Sequence, residues 1–93
     1  MKTIQLPTNR AHFKFRVNLG DSSCNFRVNW LERFGYFSVD IDADGERVAS
    51  GRALNSGVDL LEGTGIAGRL VLEGKQPTPG NLNVDNHLRY YDE

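Results

Sequence analysis

Strict alternation of apolar and polar residues is the feature that most constrains the fold of this chain. Two successive stretches, 12–19 and 23–30, are apolar at every second position. These positions are Phe13, Phe15, Val17 and Leu19, followed by Cys24, Phe26, Val28 and Trp30. Because successive strand side chains point to opposite faces, the pattern predicts two half-buried β-strands. The turn-forming residues Gly20–Ser23 between them predict an antiparallel hairpin.

Further short strands are predicted along the rest of the chain. We place them at 36–42, 47–50, 69–73 and 87–91, with a first strand at 2–6 and a turn over 43–46. Residues 54–61 are too few for a stable isolated helix and are predicted to form a loop or one helical turn. The chain is therefore predicted to be all-β, a small antiparallel β-sandwich or partly open β-barrel with at most one short helical turn. The predicted core comprises Phe13, Phe15, Val17, Phe26, Val28, Trp30, Val39, Ile41, Leu70 and Leu72.

Composition predicts one ordered domain over residues 1–93. Hydrophobic residues make up 39% of the chain and charged residues 25%, which is typical of a globular protein. The net charge of −1 and the absence of a block of like charge indicate neither a membrane nor a nucleic acid as partner. The single cysteine, Cys24, excludes an internal disulfide and suits a reducing cytoplasm. The N-terminal residues lack the apolar run of a signal peptide, so we expect no secretion by that route.

A glycine-rich segment, Gly63–Gly68, matches the spacing G-x-G-x-x-G of dinucleotide-binding turns. Such a site requires a strand before the glycines and a helix after them. The residues that follow, 69–72, have the character of a strand instead. We therefore interpret the segment as a connection between sheet elements.

Alternating carboxylates at Asp40, Asp42 and Asp44, followed by Gly45, reproduce the first half of a calcium-binding EF-hand loop. The bidentate glutamate that ends such a loop is absent, because its position is occupied by Gly51. We expect an acidic hairpin turn, and keep a metal or enzyme site at these aspartates as an alternative.

Other chemically active residues do not form a recognisable catalytic motif. His12 and His87 have no ligand-spaced Glu or Cys beside them, and Cys24 is in phase with the apolar residues of its strand. Cys24 is therefore expected to be a buried small hydrophobe. We expect no enzyme activity, no metal and no cofactor.

A basic, amide-rich face is predicted on the polar side of the first hairpin. It consists of Lys14, Arg16 and Arg27 with Asn18, Asn25 and Asn29. The aromatic residues that could stack on bases fall on the opposite face. Nucleic-acid binding by a small β-barrel module is kept as the alternative function, with this face as its site.

The order and spacing of these elements resemble the baseplate plug family of contractile-tailed bacteriophages. The matching elements are Phe13-x-Phe15-x-Val17-x-Leu19-Gly20, Phe26-x-Val28-x-Trp30-x-x-Arg33, Phe37-x-Val39-Asp40-Ile41 with Asp44-Gly45, Gly51-x-x-Leu54, Gly57-x-Asp59-Leu60-Leu61, Gly68-x-Leu70 and Leu88-Arg89-Tyr90-Tyr91-Asp92. The resemblance implies a non-enzymatic virion component of the tail baseplate, made in the host cytoplasm. Its implied partners are hub, wedge or sheath-initiator proteins and further copies of itself within the assembly.

Three residues are predicted to contact these partners because they lie at turn or strand ends. They are Arg33, Arg89 and one of the adjacent pair Tyr90 and Tyr91. Adjacent strand residues point to opposite faces, so one tyrosine is expected to enter the core while the other is presented outward.

Overall fold

The computed structural model describes residues 1–92 and forms seven strands in two antiparallel sheets. Glu93, the last residue of the predicted domain, lies outside the described residues. The strands are β1 (Lys2–Ile4), β2 (His12–Leu19), β3 (Ser22–Leu31), β4 (Tyr36–Ala43), β5 (Glu46–Ala53), β6 (Arg69–Gly74) and β7 (Asn86–Tyr91). One sheet has the order β2-β3-β4-β5 and the other β1-β7-β6. The predicted all-β class is confirmed in its sandwich form, since the sheets form no closed barrel.

Residues 1–92 contain no helix, so none of them forms one long and apolar enough to cross a membrane.

The larger sheet is a meander whose turns follow the local sequence. The β2–β3 turn consists of Gly20 and Asp21 alone, two residues shorter than predicted, because the β3 ladder already begins at Ser22. The β4–β5 turn is Asp44–Gly45, with φ of 50° and 87°. A type I′ turn requires positive φ at both central residues, and Asp-Gly satisfies this at low cost.

A shared apolar cluster fills the space between the two sheets. Inward side chains of β3 and β4 face those of β6 and β7, as the period-2 pattern predicts. Among the predicted core residues, the fully buried ones are Phe26, Val28, Val39, Ile41, Leu70 and Leu72. Each such side chain contributes about 1.5–3 kcal/mol to the free energy of unfolding.

The remaining predicted core residues pack against this cluster but are only partly buried, namely Phe13, Phe15, Val17 and Trp30. β2 is the outer strand of its sheet, so its apolar side chains contact the core from one side only. Trp30 lies near the end of β3 and packs edge-on against Phe37, with ring centroids 4.9 Å apart. Alternation identifies the inward face of a strand, but it does not show whether the strand is at the edge of a sheet.

The loop over 54–62 forms no helical turn and instead covers the outer edge of β6. The Asp59 Oδ1 atom accepts hydrogen bonds from the backbone N–H groups of Leu61 and Leu70, at 2.9 and 3.0 Å. The N–H group of Leu60 donates to the carbonyl of Leu70 at 2.8 Å. Buried loop residues complete the core, namely Leu54, Leu60, Leu61, Ile66 and Leu82.

Asn86 is the buried polar residue that holds the last long loop, residues 75–85, against β7. Its amide nitrogen donates to the Lys75 carbonyl at 3.0 Å and to the Asn81 side chain at 3.1 Å. Its amide oxygen accepts from the Asn83 N–H group at 2.8 Å. The loop conformation therefore depends on one side chain at the start of the final strand.

Candidate partner-binding surfaces

The glycine-rich segment Gly63–Gly68 is a connection that leads directly into β6. No helix follows these glycines, so the backbone cradle of a dinucleotide site is not formed. The hydroxyl of Tyr90 donates a 2.6 Å hydrogen bond to the Ala67 carbonyl and ties the segment to β7. The interpretation as a connection between sheet elements is confirmed.

The aspartates of the second hairpin are bound by donors of the chain itself. Arg47 forms an ion pair with Asp42 and lies 3.8 Å from Asp40, and the hydrogen bond to Asp42 raises the pKa of Arg47. Asp40 also accepts from the Gly51 N–H group at 2.8 Å. Within residues 1–92, no three His, Cys, Asp or Glu side chains are grouped so that they could hold a metal ion. The geometry is that of a hairpin stabilised by its own ion pairs.

Cys24 is fully buried on the inner face of β3, as its phase in the strand predicts. Burial raises the pKa of its thiol, and a thiol with a raised pKa is a poor nucleophile at neutral pH. His12 lies 3.0 Å from the Asn29 side chain, through its Nδ1 atom, on the outer face of the same sheet. The burial of Cys24 and the contact of His12 with Asn29 indicate that both residues have structural roles.

The basic face of the first hairpin is part of a larger surface of mixed charge. The register places Lys14 opposite Arg27 and Arg27 opposite Asp40. The next row joins Asn25 to Asp42, which pairs with Arg47. Aspartates of β4 therefore share a face with the basic residues of β2 and β3, and this does not favour the uniform positive potential of a phosphate-binding surface.

Arg33 lies in the exposed turn between β3 and β4, next to a residue that the sequence analysis did not single out. Phe34 is 66% exposed, and the Arg33 guanidinium lies 6.0 Å from its ring centroid. We call Arg33 and Phe34 the turn patch. The signal for Phe34 is its position between the end of an alternating strand and Gly35, where neither neighbouring strand can bury it.

Arg89 and Tyr91 lie on the outer face of the smaller sheet, in a connected network with Glu73 and Arg69. Arg89 forms a 3.0 Å ion pair with Glu73, and the Tyr91 hydroxyl donates to the other Glu73 oxygen. The Arg69 guanidinium lies 4.8 Å from the Tyr91 ring centroid. The hydrogen bond to Glu73 raises the pKa of Tyr91. We call these four residues the C-terminal patch.

Tyr90 does not belong to this patch, because its side chain is only 4% exposed and points into the core. The expected division of the two tyrosines is confirmed, with Tyr90 inside and Tyr91 outside. Of the pair, Tyr91 is therefore the one whose ring a partner could contact.

The residues predicted to contact partners thus form two patches on different sheets. Arg33 belongs to the larger sheet, whereas Arg89 and Tyr91 belong to the smaller one. A protein with two such surfaces can contact two neighbours at once.

Comparison with protein families identifies one match that extends over the whole chain. A family model described as "Cyanophage baseplate Pam3 plug gp18" matches residues 1–93. No curated protein matches the sequence. The matched range includes all seven strands and both patches.

Proposed function

The chain belongs to the cyanophage baseplate plug family, and from this premise we propose that it links the central hub of the tail baseplate to the surrounding baseplate proteins. The family is a structural one and indicates a place in the tail baseplate of the virion. The match over residues 1–93 is the observation that carries the proposal. The proposal includes synthesis in the host cytoplasm and the absence of catalytic activity.

Two separate patches support a linking role. The turn patch offers an exposed aromatic ring beside an arginine, and the C-terminal patch offers Tyr91 between Arg69 and Glu73. Aromatic residues and arginine are enriched at protein interfaces and dominate their hot spots. We assign one neighbour to each patch, among the hub, wedge and sheath-initiator proteins.

Size-exclusion chromatography with light scattering tests the proposal. The purified chain is run alone and with hub, wedge or sheath-initiator proteins from the same genome. We expect co-elution in a defined stoichiometry, and the mass of the complex shows how many copies of the chain it contains. If the chain co-elutes with none of these proteins, the proposal is contradicted.

Paired variants assign the partners to the patches. The double variant Arg33→Ala/Phe34→Ala is expected to abolish binding of one partner. The double variant Arg89→Ala/Tyr91→Ala is expected to abolish binding of the other. Lys75→Ala, at an exposed residue outside both patches, is the matched control. Retention of both partners by both double variants contradicts the assignment of the patches.

A gel shift separates this function from the nucleic-acid alternative. Binding through phosphate contacts weakens steeply as salt increases. A shift at low salt, combined with no binding to tail proteins, would replace the baseplate proposal by the small nucleic-acid-binding module.

A further inference from the structure

The outer edge of β2 differs from the other three outer edges of the sandwich. β1 has only three residues, and the pairing of β5 with β4 is interrupted by register shifts. The edge of β6 is covered by the 54–62 loop, whose Gly57 and Leu60 N–H groups donate to the carbonyls of Leu72 and Leu70. By contrast, β2 pairs with β3 over eight residues without a shift. It is the long, regular edge strand of the described chain.

Alternate backbone groups of β2 point away from the sheet. The Trp30 N–H group donates to the Ala11 carbonyl at 2.7 Å, which fixes the phase of hydrogen bonding between the two strands. In an antiparallel ladder with this phase, the N–H and C=O groups of His12, Lys14 and Arg16 face outward. Within residues 1–92, these three residues make no backbone hydrogen bond to any other segment on that side.

The open stretch has a defined end. The Lys2 ammonium group lies 3.4 Å from the Asn18 carbonyl and occupies the next outward-facing acceptor. The available template therefore runs from His12 to Arg16, which is enough for a short strand.

The two sides of this edge differ in chemistry. Phe13 and Phe15 are partly exposed on the inner side, and Lys14 and Arg16 are exposed on the outer side. A surface groove follows the edge and is continued by Arg10. Neither Lys14 nor Arg16 forms an ion pair with another described residue, so their charges are available to a neighbour.

We propose that the β2 edge binds an extended acidic segment of another baseplate protein as a fifth strand of the larger sheet. The segment alternates apolar side chains, which contact Phe13 and Phe15, with carboxylates beside Lys14 and Arg16. Main-chain hydrogen bonds to His12, Lys14 and Arg16 supply the pairing, and the alternation supplies the specificity. The inference rests on the proposed function only for the source of the segment.

Charge complementarity selects an acidic strand. Between the other strands of the sheet, opposite charges lie side by side, since Arg27 lies opposite Asp40 and Asp42 opposite Arg47. Across the β2–β3 ladder, by contrast, Lys14 lies opposite Arg27, so a carboxylate on the open side of Lys14 would compensate a like-charge pair. A second copy of the chain would bring its own basic β2 against Lys14 and Arg16, and like charges on paired strands are destabilising. Basic residues on an edge strand thus prevent self-association and leave the edge to an acidic partner.

Amide hydrogen exchange of the full chain, followed by NMR, tests the proposal. The probe is a synthetic peptide of about ten residues, the length of a typical long strand, that alternates valine and glutamate. We expect it to slow exchange of the Lys14 and Arg16 amides about tenfold or more, while the neighbouring Phe15 amide is protected already. A valine–lysine peptide, and a valine–glutamate peptide with a central proline, are the matched controls and should give no protection.

Variants of β2 separate the side-chain contribution from the backbone contribution. Lys14→Glu with Arg16→Glu should transfer protection to the valine–lysine peptide. Lys14→Pro removes an outward N–H group and should abolish binding, whereas Lys14→Ala keeps that group and should only weaken it. If the proline variant does not fold, the charge reversal still decides the matter.

Three results would overturn the proposal. They are no protection by the valine–glutamate peptide at millimolar concentration, equal protection by both peptides, and protection that appears without peptide and increases with protein concentration. The last result would mean self-pairing. The outcome is independent of the baseplate role, because failure to strand-pair leaves co-elution with tail proteins intact, and failure to co-elute leaves the peptide result intact.

Discussion

The hydroxyl of Tyr90 donates a 2.6 Å hydrogen bond to the backbone carbonyl of Ala67. This bond joins the last strand of the chain to the glycine-rich segment that precedes β6. It also explains why the two adjacent tyrosines have different roles, since Tyr90 holds the fold together while Tyr91 lies on the surface.

Loss of the Tyr90 hydroxyl is predicted to destabilise the fold. In Tyr90→Phe the Ala67 carbonyl loses its donor in a largely buried position, so the free energy of unfolding should fall by about 1–2 kcal/mol. Urea unfolding measures the change. Tyr36→Phe, at a partly buried tyrosine of β4, is the control and should change stability by less than about 0.5 kcal/mol. A Tyr90→Phe variant as stable as the native chain would contradict this account.

Gly68 is predicted to tolerate no side chain. Its φ is 94°, and a Cβ atom there would lie 2.5 Å from the Tyr91 carbonyl oxygen. Gly65 has a similar φ of 83° but open space around it. Gly65→Ala should therefore cost about 1–2 kcal/mol from backbone strain, and Gly68→Ala about 1–3 kcal/mol more from overpacking. Thermal unfolding of the pair distinguishes the two terms, and equal losses would show that the close contact has no effect.

Asn86→Ala is predicted to release the 75–85 loop. The substitution removes three hydrogen bonds and leaves buried partners of this side chain unsatisfied, with an expected loss of about 2–3 kcal/mol. Asn18→Ala, at an exposed residue of β2, is the matched control and should be nearly neutral. Limited proteolysis should cut the loop sooner in the Asn86 variant, and an unchanged cleavage rate would argue against this role.

Stability is predicted to decrease at alkaline pH. Burial raises the pKa of Cys24 and of Tyr90, and the hydrogen bond to Glu73 raises the pKa of Tyr91. A group whose pKa is higher in the folded state binds its proton more tightly there, so its stabilisation is complete below the unfolded pKa and is lost as pH rises towards the folded one. The melting temperature should therefore fall above about pH 9.

Tyr91→Phe serves as the control for this pH dependence. It removes one of the three groups, and the alkaline decrease of the melting temperature should become shallower than in the native chain. Identical profiles for the two proteins would exclude Tyr91 as a contributor.

Phe34→Ala is predicted to separate binding from stability. Because the ring is largely exposed, the substitution should change the free energy of unfolding by less than about 0.5 kcal/mol. Because the Phe34 ring is proposed to anchor an interface, its removal should lower the affinity for one partner about tenfold or more, which corresponds to at least about 1.4 kcal/mol. Calorimetry with the purified partner measures the affinity. Unchanged affinity for every partner would exclude the turn patch as a binding surface.

The strands were predictable because their pattern is local. Alternation in β2, β3 and β4 identified both faces of the larger sheet, and the Asp44–Gly45 turn was evident from two residues. Apolar residues in loops, such as Leu61 and Leu82, have no period, and their burial follows from how the loops fold over the sheets. A sandwich has edge strands, but the order of residues in the sequence does not show which strands these are, so the open edge of β2 became evident only from the sheet topology.

The partner-contact residues were predictable only in part, for a related reason. Position at a turn or strand end marked Arg33, Arg89 and the tyrosine pair, but it did not show that they divide between two sheets. Phe34 was not selected, although its position between the end of an alternating strand and Gly35 indicates a turn residue that neither neighbouring strand buries.

Electron cryomicroscopy of the tail baseplate of the phage that encodes this chain tests the central claim most directly. We predict density for the two-sheet fold between the central hub and the surrounding proteins, with the turn patch and the C-terminal patch against different neighbours. A complete baseplate in which no copy of the chain is present would contradict the assignment.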